Sequence, residues 1–179
     1  MDIQQIRNAT LVITYANQVL LIDPFLGDKG SLPPFGQTPN AVANPLVDLP
    51  VDVNTLLDPD AIFVTHLHAD HFDDAAKQLL PKHLPLYAQQ EEDAQQIREA
   101  GFTNVSSFDS GVTIGDIQIH RTGGRHGVGE IGERMGRVSG LVLTHPDEPT
   151  LYIAGDTIWC DEVAHAIEQH TPDIIVVNS

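Results

Sequence analysis

VTHLHADHFD, residues 64–73, sets three histidines and two acids into ten positions behind the short apolar run that begins at Ala61. On a helix, His66 and Asp70 would share a face and His68 would point away. The end of an extended strand instead puts residues i and i+2 on one side. His66 and His68 then converge on one point, and a turn into a following helix brings Asp70 and His71 to a neighbouring one. Imidazole nitrogen and carboxylate oxygen suit zinc and other borderline first-row metals, and the lack of thiolate in the cluster favours open, catalytic coordination over a structural knot. The spacing predicts two adjacent metal sites; the competing reading is a histidine-rich loop start that binds nothing.

The surrounding pattern places this cluster in an α/β chain. TLVITY (10–15) and VLLID (19–23) read as a hairpin turning through Ala16, Asn17 and Gln18. Pro24 to Pro59 holds seven of the twelve prolines, a long surface excursion with one helical turn expected near Val53 to Leu57. A strand at 61–65, a helix at 73–80, a strand at 85–89 and a helix at 91–101 then alternate. The strands NVSSF, VTIG and DIQIHRT follow, then a glycine-rich loop from Gly123 to Gly136, a hairpin SGLVLTH/TLYIAGD turning at PDEP, a helix near 161–169 and the apolar strand DIIVVN.

Bulk properties bound the function. A length of 179 residues fits one domain, 1–179, with one sizeable core. No apolar stretch reaches membrane-span length, and MDIQQIRNAT lacks the basic and apolar regions of a signal peptide. With a single cysteine, Cys160, the expectation is a cytoplasmic protein with no internal disulfide. A net charge of -16 weighs against nucleic acid and anionic membranes as partners. Yet Arg121, Arg125, Arg134 and Arg137, four of the six arginines, fall within 17 residues.

T-H-L-H-A-D-H, the strand-end A-G-D-T at 154–157 and the early V-L-L-I-D-P-F-L together resemble the metallo-β-lactamase superfamily of metallohydrolases. Within it, LIDPFL and the R-H-G step at 125–127 are similar to the branch of the L-ascorbate-6-phosphate lactonase type. The resemblance implies a four-layer αβ/βα sandwich of two mixed sheets with metals at one edge. It implies that His66, His68 and His126 hold a first metal, Asp70 and His71 a second, and Asp156 bridges both. The metals would be two divalent ions, zinc first, with manganese or iron as the other candidates.

Several residues keep two readings. Asp156 ends an apolar strand, where an unpaired carboxylate is costly, and Gly155 permits close approach; alternatively it caps the next helix. His126 is either a ligand or a solvent-exposed loop histidine, with His120 the rival candidate but a surface position by its strand face. Asp23 either orients a ligand or fixes the Asp-Pro turn. Arg125, Arg134 and Arg137 either bind an anionic substrate group or pair with Glu130 and Glu133. Trp159 either lines the substrate pocket or, the favoured reading, packs in the core; Cys160 lacks a partner base for nucleophilic work.

The implied reaction is hydrolysis: a metal-bound hydroxide attacks a small ester, lactone or phosphoester, with Asp70 orienting the water. A nuclease, a mono-iron dioxygenase and a catalytically silent binding module are the rival classes. The resemblance also implies a further helix, a strand and a last histidine beyond DIIVVNS, and none follows in this sequence. The expectation is therefore a truncated chain, with a weakly held second metal and an apolar face or strand edge that a partner copy would cover.

Overall fold

The computed structural model describes residues 1–34 and 41–178; residues 35–40, inside the proline-rich excursion, and Ser179 lie outside the described residues. The chain opens with a strand that the sequence reading did not anticipate, β1 (Asp2–Arg7), whose DIQQIR buries only Ile6 and Arg7 and so lacks an apolar signature. It pairs antiparallel with β2 (Thr10–Tyr15), which pairs antiparallel with β3 (Gln18–Ile22). The β2–β3 turn is two residues, Ala16 and Asn17, at φ 45° and 62°, the positive angles that primed hairpin turns need.

The proline-rich excursion carries a 3-10 turn at Val53–Leu56, where the helical turn was expected. Arg7 holds it down from below: its guanidinium donates to Phe25 O at 3.1 Å, Gly27 O at 2.6 Å and Val47 O at 3.0 Å. The chain then alternates through β4 (Ala61–Val64), α1 (Asp74–Leu79), β5 (Leu86–Ala88), α2 (Glu91–Glu99) and β6 (Val105–Ser107). β3, β4, β5 and β6 run parallel to one another, so the first sheet is ordered β1-β2-β3-β4-β5-β6 and mixed.

The second sheet is built from β7 (Val112–Ile114), β8 (Ile117–Thr122), β9 (Gly140–His145), β10 (Glu148–Ile153) and β11 (Ile174–Val176), with α3 (Gly129–Met135) and α4 (Asp161–His170) between strands. Its order is β11-β10-β9-β8-β7, antiparallel except for the β10–β11 pair. α3 lies in the stretch expected to be loop, because glycines at 129, 132 and 136 hide the helical pattern.

Period-two alternation decides how the sheets stack. Ile13, Tyr15, Leu20, Ile22 and Phe63 from the first sheet meet Ile119, Leu141, Leu143, Leu151 and Ile153 from the second in one buried layer. The other face of the first sheet, through Leu21, Ile62 and Val64, packs on α1 and α2 through Ala76, Ala94 and Ile97. The other face of the second sheet, through Val142 and Tyr152, packs on Val163 and Ala166 of α4. Helices thus lie outside two facing mixed sheets, the expected four-layer αβ/βα sandwich. Each fully buried Leu, Ile or Phe contributes roughly 1.5–3 kcal/mol to holding it. Among the described residues, no helix is long and apolar enough to cross a membrane.

Candidate metal centre

β3 and β4 are adjacent and parallel, so the residues that follow them emerge side by side at one sheet edge. Asp23, directly after β3, is buried and sits at φ 46°, a region that Asp tolerates better than most residues. Its backbone is fixed by Asp23 N donating to Phe63 O at 2.8 Å and by Thr10 Oγ1 donating to Asp23 O at 2.7 Å. Its carboxylate accepts from Thr65 N and Thr65 Oγ1, both at 2.7 Å, and from His71 Nδ1 at 2.9 Å. The Asp23 carboxylate therefore contacts the His71 ring, while the turn itself is held through the Asp23 backbone.

After Thr65 the chain turns tightly: His71 N and Phe72 N both donate to His68 O, at 2.9 and 3.0 Å. Asp73 closes the turn as the cap of α1, accepting from Ala76 N at 2.8 Å and from Leu26 N at 3.1 Å. Thr65 Oγ1 also lies 3.3 Å from His66 Nδ1. Because that hydroxyl already donates to Asp23, it accepts from His66 and leaves His66 Nε2 free to face inward.

His126 and Asp156 arrive from the other sheet on two loops zipped together. Arg125 N donates to Thr157 Oγ1 at 2.9 Å, and Ile158 N donates to Arg125 O at 2.8 Å. Gly124 permits this approach, since a Cβ there would fall 2.8 Å from Thr157 Oγ1. Gly155 sits at φ +72°, and a Cβ on it would meet Ser139 O at 2.5 Å. The residue before Asp156 is thus glycine for both conformation and space.

Among the described residues, two sets of ligand atoms converge: His66, His68 and His126 in one, and His66, His71 and Asp156 in the other, each within 4.8 Å. His66 Nε2 lies 2.9 Å from His68 Nδ1, and Asp156 Oδ2 lies 3.0 Å from His71 Nε2 and 3.4 Å from His126 Nε2. Ligands held about 2.0–2.1 Å from one tetrahedral ion stand roughly 3.4 Å apart, so these separations and this nitrogen and oxygen donor set fit a divalent metal. One carboxylate oxygen facing a histidine of each set is the placement a bridging ligand needs. His66 belongs to both sets, while Asp70 converges with neither and lines the same cavity of about 500 Å³ as His71 and Asp156.

The electrostatics follow from burial and crowding. His66 is pushed down to about 2 by burial first, then by His71 and His68, which keeps its ring neutral as a metal ligand must be. His68 is lowered by burial and by His126. For His71 burial works downward, but the Asp23 charge and hydrogen bonds to Asp156 and Asp23 outweigh it and raise the ring to about 10. Burial alone would raise Asp156, yet the His71 proton and charge, with the Asn178 amide, hold it below the ordinary carboxylate range.

Other expected residues lie elsewhere. The helix after Asp156 starts at Asp161 with Cys160 at its cap, so Asp156 is not that cap. His126 is half-buried, with its ring centroid 5.1 Å from that of His68, and is no solvent-exposed histidine. His120 stacks near His170, 4.9 Å between centroids, away from the centre. Trp159 is 74% exposed, which corrects the expectation of core packing: the loop that delivers Asp156 turns it outward. Arg125 pairs with Glu162 at 3.1 Å and Arg137 with Asp109 at 3.1 Å, in place of Glu130 and Glu133; Arg134 is exposed in the last turn of α3. Cys160 is buried among α4 and sheet residues. Thr65 and Asn178, whose amide donates to Asp156 Oδ1, were not anticipated. For Thr65 the only available signal was a hydroxyl directly before the first histidine.

The β-lactamase superfamily domain matches residues 18–179 of the chain. The chain belongs to the β-lactamase superfamily. Among its relatives in this superfamily, the UPF0173 protein YddR of Bacillus subtilis is 48% identical over 181 residues, spanning 99% of this chain and 71% of that protein. The crystal structure of isothiocyanate hydrolase from Delia radicum gut bacteria superposes with a TM-score of 0.94 at 41% identity, covering 100% of this chain and 72% of that one. A possible metal-dependent hydrolase from Veillonella parvula, another solved fold of this type, gives a TM-score of 0.94 at 36% identity over 99% of this chain and 71% of its own.

Proposed function

We propose that this protein, a metal-dependent hydrolase of the β-lactamase superfamily, binds two divalent metals, zinc first, and hydrolyses small electrophiles of the isothiocyanate type. The observation that carries this is the pair of converging ligand sets with Asp156 Oδ2 facing a histidine of each, in a chain 41% identical to an isothiocyanate hydrolase. His66, His68 and His126 would hold one ion, and His71 with Asp156 the other, with His66 placed between the two sets. Bound metals would supply Lewis acidity and lower the pKa of a coordinated water towards neutrality.

The chain's own residues set up the rest. Asp23 and Thr65 fix the His71 and His66 rings, so the ligand atoms are aimed before any ion arrives. Asp70, half-buried on the cavity wall beside His71, is placed to orient a water and hold its proton. Water adds across the C=N bond of R–N=C=S to give the thiocarbamate R–NH–C(O)SH, and breaking the C–N bond then releases R–NH2 and carbonyl sulfide. The proton held at Asp70 is the one that passes to nitrogen. A lactone of the kind the sequence resemblance implies would be opened by the same groups. The lone cysteine supports a reducing, cytoplasmic setting.

The test is turnover by protein loaded with zinc, manganese or iron, following amine release from isothiocyanates beside lactone opening and phosphodiester cleavage. Metal-dependent amine release is expected. Turnover of lactones or phosphodiesters with isothiocyanates left untouched would overturn the substrate assignment.

A further inference from the structure

A second histidine group stands on the outer face of the second sheet, apart from the metal centre. Ile119 points into the core, so alternation along β8 turns His120 outward, beside its β9 partner Val142, on the face that α4 covers. His170 ends α4 one turn beyond Ala166, a small residue buried against that sheet face. The two rings meet with centroids 4.9 Å apart, inside the 4.4 to 5.5 Å spanned by His66, His68 and His126 in the first ligand set. Both are half-buried and line one cavity of about 330 Å³ with His165 and Gln169.

The charged groups around this cavity are matched: Asp109 lies 3.5 Å from Arg121, and Glu162 lies 3.1 Å from Arg125. What remains is imidazole, a donor that suits zinc, nickel and copper. His170 is lowered by burial and then by His120 and His165, so at neutral pH its ring keeps the lone pair a metal needs. It also stands at the C-terminal end of α4, where the helix dipole favours a cation.

We propose that His120 and His170 form a second, separate binding site for a borderline divalent transition metal. Among the described residues, three donor atoms come within 4.8 Å of one another only at the metal centre, so this site offers two nitrogens and completes its coordination with water. An ion there is held more weakly than at the centre. β8 leads into the loop that carries His126, and α4 follows the loop that carries Asp156. An ion bridging them clamps together the two elements that flank the centre. This site does not depend on the substrate assignment.

The test counts zinc in tag-free protein whose metal centre is already filled, by elemental analysis after equilibrium dialysis against rising free zinc. The parent should take up one further equivalent, and its urea midpoint should rise with that uptake. His120→Asn and His170→Asn should each weaken the further equivalent at least about tenfold, remove the rise in midpoint and leave the zinc of the centre in place. His83→Asn, which removes an exposed histidine elsewhere, should behave as the parent. A readout that needs no variant is carbethoxylation of the parent's histidines, mapped by mass spectrometry. His120 and His170 should become protected as the further equivalent binds, with His83 unchanged. No further equivalent, both variants binding it like the parent, or His120 and His170 modified equally with and without it would each overturn the site.

Discussion

His71 donates Nδ1–H to Asp23 Oδ2 at 2.9 Å, and that carboxylate is in turn locked by Thr65. The bond fixes which ring nitrogen points inward, so Nε2 is the atom offered to a metal. Asp23→Asn keeps the size and one acceptor but replaces the charge that holds this ring. Metal affinity should fall about 10- to 100-fold, read by competition against a chelator of known strength. Parental affinity in the variant would remove Asp23 from the site.

His66 stands in both ligand sets, whereas His68 and His71 each stand in one. The one inward nitrogen of His66 can ligate only one ion, so His66→Ala and His68→Ala should each lose about one equivalent of metal and His71→Ala about one from the other site. Elemental analysis after equilibrium dialysis checks these losses. Chelation of the parent should abolish turnover and added metal restore it. Loss of both equivalents from His68→Ala or His71→Ala alone would contradict two separately held ions.

Gly155→Ala places a Cβ 2.5 Å from Ser139 O, on a backbone at φ +72°. Neither the strand end nor the carbonyl can give without moving Asp156. The variant should lose at least about 2 kcal/mol of stability, measured by urea unfolding, and should bind metal more weakly than the parent. A stable variant with unchanged metal binding would show that the loop relaxes freely.

What the sequence made legible was local. HxHxDH after an apolar strand points to a cluster of metal-ligand types because i, i+2 alternation and one turn are enough to bring its side chains near one another, and Asp156 draws notice as a carboxylate at the end of a buried strand. The two-sheet sandwich followed from resemblance, with the alternation merely compatible. Contacts set by distant pairing stayed hidden. Asn178 meets Asp156 only because β11 runs parallel to β10, and the Thr65 hydroxyl beside His66 Nδ1 shows only in the folded chain. Trp159 was misplaced because an aromatic near an apolar strand usually packs inward, and nothing local shows that a loop delivering Asp156 turns it out.

Tyr15 gives a prediction independent of the metals. Its ring is fully buried between the sheets, and its hydroxyl donates to backbone oxygens of Leu143 and Pro149, at 3.2 and 2.9 Å. Burial first, then the charges of Glu148 and Asp173, push the phenol up to about 12 from its ordinary 10. Between pH 10 and 12 the unfolded phenol is ionised and the folded one is still protonated, so the folded state binds the extra proton and stability falls as pH rises through that window. The contribution is fully present below pH 10. Tyr15→Phe removes the titration at the cost of about 1 kcal/mol of hydrogen bonding at neutral pH. Urea midpoints at pH 9 and pH 11.5 should drop more for the parent than for the variant; parallel drops would assign the alkaline loss to other groups.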